Sequence, residues 1–339
     1  MIAYLNRSFK LERLFLILFL CFQIYCYSVE NPKIFLYLED EAAINHANAL
    51  ENVNVEGAQI RYFWRSLELE QGKYDFSKIK ADLDYLSSLQ KKLFIQIQDR
   101  SFHPYDIPVP DYILKDIIYQ NGIVIQFDFP GENRQIESGW VTKQWIPQVQ
   151  QRFQALLVEL AKNFDGKIYG INLPETSVDL DPKDANHQFT SEKYFNTILE
   201  NMEALRKAFK KSHVVQYVNF IPGEWDNDQN YMGRIFEYAI QNNIGLGNPD
   251  IVPYRRGQMK NSYPFFHKYK GDLPLIAIAA QEGGYTYVNP DTKELFSMQE
   301  IAGFAKKYLG AHIVFWNIQE PQFTNQVLPL LNTNKLFVD

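Results

Sequence analysis

Two glutamates follow directly on short apolar runs: Glu175 in Ile171-Asn172-Leu173-Pro174-Glu175-Thr176, and Glu282 in Ile278-Ala279-Ala280-Gln281-Glu282-Gly283-Gly284. Runs of this length and composition read as buried strands. Side chains just past the carboxyl ends of parallel strands are the ones that gather for chemistry. Two carboxyl groups brought together from different strands are the minimum equipment for cleaving a glycosidic bond. The two must then differ in state: one ionised, the other keeping its proton near neutral pH.

The elements that position them recur in a regular order. Strand-like runs fall at Lys33 to Leu38, Ala58 to Trp64, Leu93 to Gln98, Ile168 to Asn172, Val214 to Phe220, Ile244 to Leu246, Leu275 to Ala279 and Ile313 to Trp316. Helical patterns lie between them. One begins near Asp75-Phe76-Ser77 and repeats Ile79, Leu83, Leu86 and Leu89. Another opens at Trp145-Ile146-Pro147 and carries Val149, Phe153, Leu156, Leu157 and Leu160 on one stripe. Further helices are expected from about Ser191 to Phe209, Tyr231 to Gln241 and Met298 to Leu309. Eight strands alternating with helices predict an α/β chain folded as a single (β/α)8 TIM barrel. Ile117 to Ile125 is broken by Asn121-Gly122, a dipeptide suited to a two-residue turn, so an extra β-hairpin is expected after the third strand. An open doubly wound sheet is the alternative, but the first strand lacks the glycine-rich turn that dinucleotide binding requires.

In such a barrel the residues past the strands share one mouth: Arg61 and Trp64, Gln98 and Asp99, Asn172 and Glu175, Asn219 and Glu224, Asn248 and Asp250, Gln281 and Glu282, then Trp316, Asn317 and Glu320. Amides and carboxylates bond hydroxyl groups and aromatic faces cover apolar ring faces, a mixture that suits sugars. At this point the chain resembles the retaining (β/α)8-barrel glycoside hydrolases of the large clan that contains cellulases and β-galactosidases. The resemblance rests on Ile60-Arg61-Tyr62-Phe63-Trp64-Arg65-Ser66-Leu67-Glu68-Leu69-Glu70-Gln71-Gly72-Lys73-Tyr74-Asp75-Phe76-Ser77 and on the two glutamate segments, and extends as a pattern from about Lys33 to Phe323. It implies Glu175 as acid/base and Glu282 as nucleophile. It also implies an arginine, Arg61, supporting the nucleophile, and sugar contacts from Trp64, Asn172 and Trp316. The chain departs from the clan where Leu173 and Pro174 separate Asn172 from Glu175, since there the asparagine stands immediately before the glutamate. Glu224, in Pro222-Gly223-Glu224-Trp225, is the reserve catalytic carboxylate.

The first residues read as an address. Arg7, Lys10 and Arg13 precede the apolar run Leu14 to Phe22 and the stretch Cys26-Tyr27-Ser28, so residues 1–28 are expected to be a secretory signal peptide and 29–339 the barrel domain, secreted or periplasmic. The apolar run is short for an anchor, which needs ~20 residues. Both cysteines, Cys21 and Cys26, fall in the leader, so the remainder has none for disulfides and depends on a large core. The leader carries three cations against Glu12, so its removal makes the chain two charges more acidic than its formal −6. Without a basic cluster, phosphate neutralisation and nucleic-acid binding are not expected. The histidines His46, His103, His187, His213, His267 and His312 have no metal-ligand spacing, and Asp179, Asp181 and Asp184 lack the glycine and terminal glutamate of a calcium loop. Neither metal nor cofactor is expected, and the partner is a carbohydrate. A barrel of the cell envelope that binds glycans without cleaving them is the competing expectation.

Overall fold

The computed structural model describes residues 30–128, 136–181, 183–184, 187–281 and 285–337. The leader at 1–28 and Glu282 lie outside the described residues. Eight strands form a closed parallel barrel in chain order: β1 Lys33–Tyr37, β2 Gly57–Phe63, β3 Lys92–Gln98, β4 Gly170–Leu173, β5 His213–Tyr217, β6 Gly245–Asn248, β7 Ile276–Ala280 and β8 Ile313–Asn317. β8 closes the ring on β1, with Leu36 opposite Trp316 and Tyr37 opposite Asn317.

Alternation along each strand divides the apolar residues into two cores. Phe35, Phe94 and Phe315 point inward, where their rings meet edge to face with centroids 5.0 to 6.4 Å apart and plug the barrel. Toward the carboxyl ends the filling turns polar: the Gln59 amide donates to Asn172 Oδ1 at 2.9 Å and to Tyr217 Oη at 2.7 Å. Gly247 leaves room for this layer, because a Cβ there would lie 2.0 Å from the Ala277 carbonyl oxygen and 2.7 Å from the Tyr217 ring.

The out-facing residues pack under helices. Pro147 opens the helix Pro147–Phe164, and its stripe of Val149, Phe153, Leu156, Leu157, Leu160 and Phe164 is buried. Each such side chain contributes roughly 1.5–3 kcal/mol of burial. Helices Ser77–Ser88, Ser191–Ala208, Tyr231–Gln241, Ser262–Tyr269 and Met298–Phe304 cover other strands. Thr190 caps the second of these through Lys193 N–H, and Ser297 with Glu300 forms a capping box on the last.

A hairpin does follow β3, but it is built differently from the expectation. Its strands are Ile123–Asp128 and Ile136–Thr142, while Ile117–Tyr119 is a 3-10 turn. The Asp116 carboxylate accepts from Ile118 N–H at 3.1 Å and stabilises that helical turn. Gln120, Asn121 and Gly122 then take left-handed φ values, so Asn121-Gly122 ends the turn and does not join two strands. The hairpin is fastened to the end of β3 by reciprocal bonds between Ser101 and Trp140, at 2.9 and 3.2 Å. A second ribbon, Glu68–Glu70 with Lys73–Tyr74, lies inside the long string after β2.

Candidate active site

Glu175 owes its position to the way β4 ends. In Gly170–Leu173, Asn172 points into the barrel and Leu173 out. Pro174 cannot continue the ladder, and its carbonyl is taken by the Gln216 amide at 2.6 Å. The chain leaves the wall there, and Glu175 follows two residues beyond the end of β4. Asn219, just past β5, donates from Nδ2 to Glu175 Oε2 at 2.7 Å. The Asn219 side-chain Oδ1 accepts from the backbone N–H groups of Ser177 at 3.0 Å and Phe220 at 2.9 Å, which fixes the amide's orientation.

This setting favours a proton on Glu175. Burial pushes its carboxyl up to about 7; the charge of Arg100 opposes the rise, that of Asp250 adds to it, the Asn219 bond opposes it, and Asp179 adds to it. The side chain keeps some accessible surface, so it can still meet a ligand. Asp250, beyond β6, is itself raised by burial, with Arg255 pulling the other way. A carboxyl group poised near neutrality has the property a general acid/base requires.

Beside Glu175 lies a group of buried polar side chains, of which only Asp99 stands among the mouth residues expected from the sequence. A cavity of about 30 Å³ is lined by Glu175, Asp99, Arg100, Gln144, Asn201 and Gln216, among others. The Gln144 amide donates to Asp99 Oδ2 at 2.5 Å, and Asn201 in turn donates to Gln144 Oε1. Arg100 stands two residues past β3, so its position at a strand end was a usable signal.

The other expected site residues are dispersed. Arg61 reaches Asp40 at 3.2 Å, Glu39 at 3.8 Å and Tyr37 Oη at 3.3 Å. It borders an open groove with Phe63 and the exposed Tyr105. Burial drives the Tyr37 hydroxyl up to about 12, so it stays protonated. Asn172 is fully enclosed and committed to Gln59. Trp64 and Trp316 correct the expectation of sugar contacts, because each is 0 % exposed. Trp64 packs edge-on against Phe153 and donates to Glu68 at 2.8 Å. Trp316 faces outward between the inward Phe315 and Asn317, stacked near Tyr285. Glu224 serves structure: it accepts from Tyr231 and Met232 N–H at 2.5 and 2.9 Å and closes the start of the helix Tyr231–Gln241.

No known family model matches the sequence, and a comparison with curated proteins finds no relative. Solved structures do share its shape. The catalytic domain of a β-amylase from Paenibacillus polymyxa aligns with a TM-score of 0.57 at 9% identity, over 85% of this chain and 93% of that one. A thermostable mutant of a xylanase from Cellvibrio japonicus aligns with a TM-score of 0.52 at 11% identity, over 91% and 98%. A xylanase from Thermotoga petrophila, solved with xylobiose, gives 0.50 at 10% identity, over 85% and 82%. At such identities the likeness is one of fold, and that fold is the closed (β/α)8 barrel with helices between its strands.

Proposed function

We propose that the protein is an exported glycoside hydrolase that cleaves a β-linked glycan by double displacement. The observation that carries this reading is Glu175: a half-buried carboxyl two residues past β4, held by Asn219 and raised to about 7. The barrel it shares with xylanases and a β-amylase supports the same reading. Glu282, two residues after β7 in the sequence, attacks the anomeric carbon and expels the leaving oxygen, to which Glu175 gives its proton. Glu175 then takes a proton from the water that releases the sugar from Glu282. Because the tryptophans and Asn172 are enclosed, the open groove at Arg61, Phe63 and Tyr105 is the better place for an aromatic sugar contact. Export follows from the leader at 1–28, cleaved after Ser28.

The test is a screen of aryl β-glycosides and polysaccharides with wild type, Glu175→Ala and Glu282→Ala. Both variants should lose turnover by 10²-fold or more, roughly what loss of acid–base catalysis costs. Azide should rescue one of them, because a small anion replaces a missing carboxylate. Undiminished turnover in either variant rejects its assigned role. Glycan binding with no turnover by wild type favours the non-catalytic envelope barrel.

A further inference from the structure

Arg100 is almost wholly enclosed, at 4% exposure, yet among the described residues no carboxylate is hydrogen-bonded to it. One guanidinium nitrogen donates to the carbonyl of Ser177, two residues beyond Glu175, and another lies 3.3 Å from Tyr194 Oη on the helix Ser191–Ala208. Its Nε has no hydrogen-bond partner among the described residues, and neither has Asp99 Oδ1, which faces it at 3.9 Å. That separation is an ion pair too long for a hydrogen bond. Asp99 is meanwhile held by Gln144, and Gln144 by Asn201, so the carboxylate is turned away from a tighter pairing. Arg100, Asp99 and Glu175 line the same small cavity. A buried cation is costly unless its charge finds use, and here the field not spent on Asp99 reaches Glu175.

We propose that Arg100 is a positioning residue for Glu175: it pins the chain that follows the glutamate and holds a permanent positive charge on the cavity they share, which lets that group give up its proton as well as hold it. The catalytic meaning of this placement rests on reading Glu175 as the proton donor. Among the described residues, the groups whose charge or hydrogen bond bears on Glu175 are Arg100 from beyond β3, Asn219 from beyond β5, Asp250 from beyond β6, Asp179 on its own loop and Tyr194 from the helix Ser191–Ala208. Among the described residues, burial, Asp250 and Asp179 favour the protonated form, whereas Arg100 and Asn219 favour the carboxylate. A double displacement needs both forms in turn. Removing the Arg100 cation should therefore favour Glu175 as an acid.

The test reads Glu175 directly, by carbon NMR titration of the full chain labelled at glutamate carboxyls, with the Glu175 signal identified by its loss in Glu175→Gln. The variants are Arg100→Met, Arg100→Lys and the double variant Asp99→Asn with Arg100→Met. The double variant removes the buried pair together and so leaves no uncompensated charge if Arg100→Met alone fails to fold. The midpoint should rise by ~1–3 units in either methionine variant, the usual influence of a neighbouring arginine on a carboxyl group. Arg100→Lys, which keeps the charge, should bring it back toward wild type. The alkaline limb of kcat/KM should move in the same direction. An unmoved midpoint in a folded methionine variant overturns the proposal, whatever the turnover. A moved midpoint in a protein that cleaves no glycoside upholds the coupling and rejects the enzymatic reading.

Discussion

At the scale of single residues, holding a proton on Glu175 has a consequence for stability. Its carboxyl is raised from 4.5 to about 7 in the folded chain. Below the unfolded value both states are protonated and the burial is without penalty. Between the two values the unfolded chain ionises while the folded one does not, so stability falls as pH rises and the loss is complete above the folded value. Glu175→Gln keeps an acceptor for Asn219 and removes the titration. Urea unfolding should therefore find the variant equal to wild type near pH 4 and more stable by up to about 3 kcal/mol above about pH 8. Equal stability at both ends would mean that the carboxyl is not raised. Glu175 was legible in the sequence because a polar residue after a short apolar run marks a strand end. The tryptophans were misread because inward and outward alternate with every residue: Trp316 stands one place from both Phe315 and Asn317, which face the lumen. Arg100 was passed over because its partners come from Ser177 and Tyr194, far along the chain.

At the scale of elements, the long string after β2 that carries the clearest sequence resemblance is a structural joint. Glu68 is fully buried and its two oxygens serve three elements. Oε2 accepts from Trp64 Nε1 at 2.8 Å, while Oε1 accepts from Gly72 N–H at 2.7 Å and from Arg152 on the helix Pro147–Phe164. Gly72 has a φ of 75°, the left-handed turn that brings its N–H round to the carboxylate. Leu-Glu followed by Gly and Tyr-Asp-Phe is thus the pattern needed to fasten a ribbon to the helix that shelters the barrel. Glu68→Ala leaves the Trp64 N–H and the Arg152 guanidinium without their shared acceptor. The expected loss is about 3–5 kcal/mol, as when one partner of a buried ion pair is removed. Denaturant unfolding measures it, and a loss below about 1 kcal/mol would place Arg152 in the class of exposed pairs. The strands were legible at this scale because eight apolar runs recur between helical stripes. The hairpin after β3 was legible in place but not in construction: Asn121-Gly122 suits several kinds of turn, and Asp116 decided which one formed.

At the scale of the whole molecule, closure of the barrel turns local contacts into shared ones. An open sheet accommodates an added side chain by splaying at its edge, whereas a ring of eight strands has no edge to move. Gly247 lies where β6 meets β7, and a Cβ there would stand 2.0 Å from the backbone oxygen of Ala277. A backbone atom cannot swing aside, so β7 must shift, and with it β8 and the closure on β1. The same Cβ would press on Tyr217, which holds Gln59 and through it Asn172, below the Glu175 loop. Gly247→Ala should therefore cost ~1–3 kcal/mol or more, the range for overpacking. The matching control is Gly303→Ala. Gly303 sits within the helix Met298–Phe304, and a Cβ there would meet nothing within 4 Å. That change should stabilise by about 0.4–1 kcal/mol, because alanine restricts the unfolded chain and favours helix. The two substitutions add the same methyl group, so opposite signs in paired unfolding curves would isolate the effect of barrel closure. If Gly247→Ala proved as harmless as Gly303→Ala, the ring would be compliant at β6 and β7, and the polar layer under Glu175 would need another source of rigidity.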